Sequence, residues 1–421
     1  MIRFFVRARV LALCVLMPFI SVAGAEVTDE LTLSDALRLA LQNNPDLAVS
    51  SYELKIHDAR VLQAGLGPNP ELTLTAENFA GSGEAKGTKL LETTLSLGQT
   101  IELGGKRGSR ITVANIDREL SGIDRQARQL DVLAEVTRKF IDAVAAQQVL
   151  ELSQHTRQLA QQTLSVIEKR VQAARTPLAE QSRATIALTR ARIAEQQAAL
   201  SLDNARHELA AMWGGDAPAF SRVNADLFLM PSLQSYEQLQ SQLQASPDLL
   251  RFATEARLRE AEWKLAQSQA RSDLNVSAGV RHLQASGDYA LVAQIAMPLP
   301  FANRNQGTIQ EAQVKRDQLH VQSRAALIHA QTTLYRLYQQ IHFSQEAVAQ
   351  LRKEAIPQAE AAVAQTRDGY ERGRFSYLEL ATAQQDLFEL QRAAIDVAAD
   401  YHRLFTELER LTCEPLAATS N

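Results

Sequence analysis

The sequence predicts a mainly α-helical chain with a small β part, built as two copies of one strand-strand-long helical hairpin unit. Three observations carry this. From Ile111 to Arg175 there is no proline and one glycine, Gly122, and apolar residues recur at helical spacing between Arg, Gln, Glu and Asp. At ~1.5 Å per residue such a helix runs roughly 100 Å, several times the width of a compact domain, so it must pack along other long helices. Second, Asn44-Pro45-Asp46-Leu47 matches Ser246-Pro247-Asp248-Leu249 at a separation of 202 (45 to 247), and the same offset aligns 72–76 with 274–278. Third, four short runs alternate apolar and polar residues with period two, which the helices never do.

The chain opens with Arg3, Arg7 and Arg9, an apolar run from Val10 to Ile20, and Ala23-Gly24-Ala25, so residues 1–25 read as a secretory signal peptide. Cys14 follows Leu13, where a lipoprotein signal needs a small residue, and no lipidated N-terminus is expected. Removing the signal leaves Cys413 alone, which excludes an intramolecular disulfide.

The first unit, 26–212, begins with an amphipathic helix over about 34–66, split at the Asn44-Pro45 helix-start signal. Strands follow at about 71–79 and 90–103, then a helical hairpin over about 109–212. A linker without periodicity, 213–232, contains Trp213-Gly214-Gly215 and Pro231. The second unit, 233–412, repeats the plan with a helix split at Ser246-Pro247, strands at about 273–282 and 289–299, and a hairpin over about 306–411. Residues 413–421 form a tail. Pro357 interrupts the second long helix and is expected to kink it.

On the strands, Leu274, Val276, Ala278 and Val280 face one way and Asn275, Ser277, Gly279 and Arg281 the other. One face is apolar and one wet. The helices are too long to stop over that sheet and cover it. Strands of about ten residues joined by Gly-rich loops are what an outer-membrane barrel uses. Four strands cannot close around a wet interior, so several chains must contribute.

Two places invite a functional reading. At the strand-to-helix junctions, Gly104, Gly105, Lys106 and Arg107 in one unit correspond to Pro298, Pro300 and Arg304 in the other. Glycine and proline there permit the change of backbone geometry, while Lys106, Arg107 and Arg304 could snorkel to a membrane surface or anchor phosphates. At the hairpin tips, Arg175, Thr176, Pro177 and Glu180 correspond to Tyr370, Gly373, Arg374 and Glu379. Thr176 and Ser376 read as N-caps, with Pro177 at the first helical position.

The composition is 46% hydrophobic, 5% aromatic and 22% charged, with a net charge of −4, which gives no electrostatic case for nucleic-acid binding. The histidines at 57, 155, 207, 282, 320, 329, 342 and 402 show no metal-ligand spacing, and there is no phosphate loop or nucleophile elbow. The chain is expected not to be an enzyme and to need no cofactor or bound metal.

The duplicated plan, the opening Leu31-Thr32-Leu33-Ser34-Asp35-Ala36-Leu37 through Asn44-Pro45, and the Gly373-Arg374 tip together resemble the TolC-type outer-membrane efflux protein family. Gln99-Thr100-Ile101-Glu102-Leu103-Gly104-Gly105-Lys106-Arg107 and Pro68-Asn69-Pro70-Glu71-Leu72 resemble its CzcC-like, cobalt-zinc-cadmium branch. The resemblance implies a homotrimer in which four strands per chain make a twelve-stranded barrel in the outer membrane of a Gram-negative bacterium. The hairpins would continue it as an α-helical barrel across the periplasm. It further implies a passive exit duct for exported substrate, heavy-metal cations above all. Its implied partners are outer-membrane lipid, a periplasmic adaptor (membrane fusion) protein and an inner-membrane RND pump. The resemblance places Glu379 in an acidic ring at the periplasmic constriction, with Thr382 where a second acid is usual. It also aligns Tyr370 with a tip tyrosine, and puts Arg374 next to Phe375, which stands where some relatives have a gate-locking arginine. A drug or type I secretion duct of the same fold is the alternative. A soluble periplasmic coiled-coil adaptor fits less well, since it would show one hairpin and a compact β-rich half.

Overall fold

The computed structural model describes residues 30–413, so the expected signal peptide and residues 414–421 of the tail lie outside the description. In chain order the elements are β1 (Glu30–Leu31), α1 (Leu33–Asn43), α2 (Pro45–Ala64), β2 (Glu71–Glu77), β3 (Glu92–Ile101), α3 (Lys106–Gln172) and α4 (Leu178–Ala211). They continue with β4 (Arg222–Val223), α5 (Tyr236–Leu243), α6 (Pro247–Gln269), β5 (Leu274–Leu283), β6 (Asp288–Ala296), α7 (Gln306–Gln350), α8 (Ile356–Glu371) and α9 (Tyr377–Thr412).

Capping chemistry sets the helix starts. Asn44 Oδ1 accepts the Asp46 and Leu47 N–H groups at 2.9 and 3.1 Å, and Pro45 occupies the first turn, where its missing N–H costs nothing. Helix α3 has 67 residues, about 100 Å of rod. Its counterpart is broken: between α7 and α8 the residues Leu351–Ala355 form a π-helical turn just ahead of Pro357. A proline cannot donate to the preceding turn, and the wider π register takes up the missing bond.

The four-stranded sheet is antiparallel throughout, in the order β2-β3-β5-β6, so the two units meet at the β3–β5 pair. Leu74, Leu95, Val280 and Leu291 line up across all four strands, and all four are exposed. The opposite face carries Thr94 and Arg281, directly paired, with the Arg281 guanidinium bonding Glu92 at 2.7 Å and Glu77 at 3.2 Å. Strand β6 stops at Ala296, short of the expected 299, because Pro298 and Pro300 have no N–H for a ladder.

The core lies along the helices. Around the middle, Val136, Phe140, Val144, Leu209 and Ala398 are buried together under the linker, which is fixed where Tyr401 Oη donates to Pro231 O at 2.5 Å and His402 Nε2 meets Leu227 O at 2.9 Å. A separate cluster of Leu164, Ile167, Ala184, Leu188, Tyr370, Tyr377 and Leu380 joins the two hairpins at their tips.

Candidate functional site

Both hairpins reverse through the same backbone motif. After α8, Gly373 is left-handed (φ 73°); the Arg374 N–H donates to Gly369 O at 2.7 Å and the Gly373 N–H to Tyr370 O at 3.0 Å. After α3, Ala174 takes the left-handed position (φ 55°); the Arg175 N–H donates to Arg170 O at 2.8 Å and the Ala174 N–H to Val171 O at 2.9 Å. Each closes the last helical carbonyls as a Schellman turn, which glycine fits and alanine strains.

The helices that leave the tips start differently. At α9 the Ser376 Oγ accepts the Glu379 N–H at 3.3 Å, and Glu379 Oε2 accepts the Ser376 N–H at 2.7 Å and hydroxyl at 2.9 Å, a complete capping box. The Ser376 N–H and hydroxyl hold the Glu379 carboxyl below the usual carboxylate range. The expectation that Thr176 caps α4 is corrected. Pro177 holds that position without a side-chain cap, and Thr176 Oγ1 instead accepts Arg170 Nε at 3.3 Å.

Arg170 joins the hairpins. Its Nη1 donates to Tyr370 O at 2.9 Å, and its guanidinium lies 4.7 Å from the centre of the Tyr370 ring. Tyr370 is buried, donates from Oη to Glu180 Oε2 at 3.3 Å and meets buried Tyr377 edge-on at 6.5 Å. Burial raises the pKa of both phenols, and the nearby Glu180 charge raises them further, so both stay neutral and Tyr370 serves as a neutral donor to Glu180. The tip thus brings Tyr370, Thr176 and Glu180 together, while Arg175, Arg374 and Glu379 lie on its exposed surface. Arg170 was visible only as a cation in the last turn of a helix.

At the junction, Gly104 and Gly105 are both left-handed, and a Cβ on Gly104 would lie 2.6 Å from Arg271 Cγ. That close approach brings the units together. Lys106, 13% exposed, donates to Asp273 Oδ1 at 2.7 Å, which also accepts the Leu103 N–H at 3.0 Å. This corrects the expectation that Lys106 is free for phosphates: its charge is spent on Asp273, a partner no local pattern announces. Arg107 is exposed. Arg304 braces its own turn, with Nε donating to Pro300 O at 3.3 Å. Asn305 (φ 58°) stands where the first unit has Gly105, and its Nδ2 donates to Ala266 O at 2.8 Å. Among the described residues no helix is long and apolar enough to cross a membrane, and no three His, Cys, Asp or Glu side chains gather as a metal-binding group.

The profile described as outer membrane efflux protein matches residues 36–215 and 238–414. The chain belongs to the outer membrane efflux protein family. This family member is 29% identical over 387 residues to the cobalt-zinc-cadmium resistance protein CzcC of Cupriavidus metallidurans, covering 92% of this chain and 91% of that one. It is 23% identical over 397 residues to the cation efflux system protein CusC of Escherichia coli K12, covering 89% and 84%. A solved structure of CusC superposes with a TM-score of 0.75 at 16% sequence identity, covering 90% and 91% of the two chains, so the fold is that of an outer-membrane channel. The resemblance to the TolC-type, CzcC-like channels holds along nearly the whole chain.

Proposed function

We propose that three copies of this chain form a duct through the outer membrane and periplasm that passively conducts heavy-metal cations from an inner-membrane RND pump and its adaptor to the outside. The observation that carries this is the continuity of a sheet whose apolar face is left uncovered with a helix of 67 residues. An uncovered greasy sheet with open edges is stable only in lipid and closed by further strands. The substrate class rests on CzcC, the relative named for cobalt, zinc and cadmium resistance that matches over nearly the full length.

In this reading Glu379 and Arg374 line the periplasmic constriction, and the Arg170–Tyr370 contact holds the hairpins together there. The exposed Arg107 and the Arg304 turn mark the membrane boundary. Deleting the gene in its host and measuring tolerance tests the assignment. Sensitivity to cobalt, zinc or cadmium, restored by the intact gene, is expected. Sensitivity to dyes with unchanged metal tolerance would move the substrate to drugs, and quantitative extraction without detergent would reject the channel altogether.

A further inference from the structure

The wet face of the sheet holds a single cation. In register across the strands, that face carries Thr73, Ser96 and Gly279 in one row, Thr75, Thr94 and Arg281 in the next, and Glu77, Glu92 and Asp288 in the last. Among the described strand residues that share this face, Arg281 is the only basic one. The last row lies at the end of the sheet farthest from the helices, where 78–91 joins β2 to β3 and 284–287 joins β5 to β6.

Arg281 does not stand up from the sheet. Side chains on a strand project roughly at right angles to it, yet the Arg281 guanidinium reaches sideways over both strands of the other unit. Its Nε donates to Thr94 Oγ1 on β3 at 2.9 Å, Nη1 to Glu92 Oε2 on β3 at 2.7 Å, and Nη2 to Glu77 Oε2 on β2 at 3.2 Å. With strands about 4.8 Å apart, β2 lies roughly 10 Å from β5. A guanidinium bonded to Glu77 therefore lies along the wall. Glu92 is fixed from its other side, where Asn78 Nδ2 donates to Oε1 at 3.1 Å.

Exposed ion pairs contribute little on their own. Here three donors of one rigid fork meet three separate acceptors, Thr94 is buried, and the Arg281 and Glu92 side chains are only 31 and 25% exposed. Two carboxylates against one guanidinium leave one net negative charge per copy. A guanidinium released from the wall would reverse this, standing into the water-filled bore ahead of its acids.

We infer that Glu77 and Glu92 latch Arg281 flat against the barrel wall, so that this level of the bore offers outgoing cations net negative charge in place of projecting guanidinium groups. The two acids are positioning residues, and Arg281 is the group they keep out of the path. The inference rests on the barrel reading above.

The test uses the whole protein in detergent, with Cys413→Ser as background and trimer mass checked by native mass spectrometry. Arg281 is modified with phenylglyoxal and the adduct followed by peptide mass spectrometry. Glu77→Gln with Glu92→Gln, which keep size and shape, should speed that modification at least about tenfold; an unchanged rate overturns the latch. Thr73→Cys, on the wet face one row nearer the helices, is then treated with a trimethylammonium and with a sulfonate methanethiosulfonate. The parent should favour the cationic reagent. The paired glutamine variant should lower the cationic-to-anionic rate ratio about tenfold, and adding Arg281→Gln should recover about threefold of it. No recovery shows that the freed guanidinium stays clear of the bore, and overturns the inference. Should the paired variant fail to assemble, Glu77→Gln alone carries the same comparisons with changes of about threefold. Leu74→Cys, on the opposite face, should react with neither reagent. Reaction at Leu74→Cys but not at Thr73→Cys rejects the barrel reading itself, whereas reactive Thr73→Cys with unchanged Arg281 modification rejects the latch alone.

Discussion

Arg170 and Tyr370 hold the two hairpins together: the Arg170 guanidinium donates to the Tyr370 carbonyl at 2.9 Å and lies 4.7 Å from the centre of its ring. The two residues are 200 positions apart and come from different units. One side chain therefore carries both a charge-assisted hydrogen bond and a cation–π contact across the junction of the two hairpin tips.

Removing that side chain is expected to loosen the tip. A hydrogen bond to a charged donor contributes about 1.5–3 kcal/mol, and each 1.4 kcal/mol is about a tenfold change in population. Arg170→Ala should raise the open fraction of the reconstituted channel about ten- to a hundredfold, read as single-channel conductance. Conductance equal to that of the parent protein would show that the contact does not restrain the tip.

The two tips predict opposite responses to one chemical change. Ala174 and Gly373 occupy the same left-handed position in equivalent turns. A non-glycine residue there costs about 1–2 kcal/mol, partly offset by the roughly 0.4–1 kcal/mol by which alanine restricts the unfolded chain. Ala174→Gly should strengthen amide protection in its tip by about 0.5–1 kcal/mol, and Gly373→Ala should weaken its own by a similar amount. Hydrogen exchange of the tip amides measures both; shifts of the same sign in the two variants would contradict the equivalence.

Glu379 separates charge from capping. Glu379→Gln keeps a side chain that can complete the capping box but removes the negative charge, whereas Glu379→Ala removes both. Cation selectivity, from reversal potentials, should fall in both variants, and fraying of the first turn of α9 should appear only in Glu379→Ala. The pH dependence has a definite sign. Because the folded-state pKa is depressed, the stabilisation from this carboxylate is fully present above its unfolded value of about 4.3 and is lost as the pH falls through the folded value. Selectivity unchanged in Glu379→Gln would remove this residue from the conduction path.

Lys106 and Asp273 couple the two units beneath the sheet at 2.7 Å. Asp273→Asn leaves a Lys106 that is only 13% exposed without its counter-charge, a loss of about 1–3 kcal/mol. With Lys106→Met and the double variant, thermal melting in detergent should give a coupling of about 0.5–3 kcal/mol. Additive effects would mean that the pair does not act as a unit.

Much of the architecture was legible because it is written in periods. A helical period sustained past sixty residues, a two-residue period in four short runs, and an offset repeated at 45 and 247 are local properties, and they dictate rods, a half-greasy sheet and a duplication. Turn chemistry was legible too at Ser376, where a hydroxyl and a glutamate three residues on announce a cap. At Thr176 the same reasoning failed, since Arg170 lies within reach of that hydroxyl and takes it. Lys106 failed likewise, because Asp273 is 167 positions away.

By itself, then, the sequence determined the lengths of the rods, the twofold plan and the greasy face of the sheet, since each follows from the order of neighbouring side chains. The tertiary structure alone decided that β3 lies against β5, that Lys106 meets Asp273, and that Arg170 reaches Tyr370. The physical reason is that a polar side chain bonds whichever partner the packed backbones bring within about 3 Å. No periodicity along the chain encodes which distant backbone that will be.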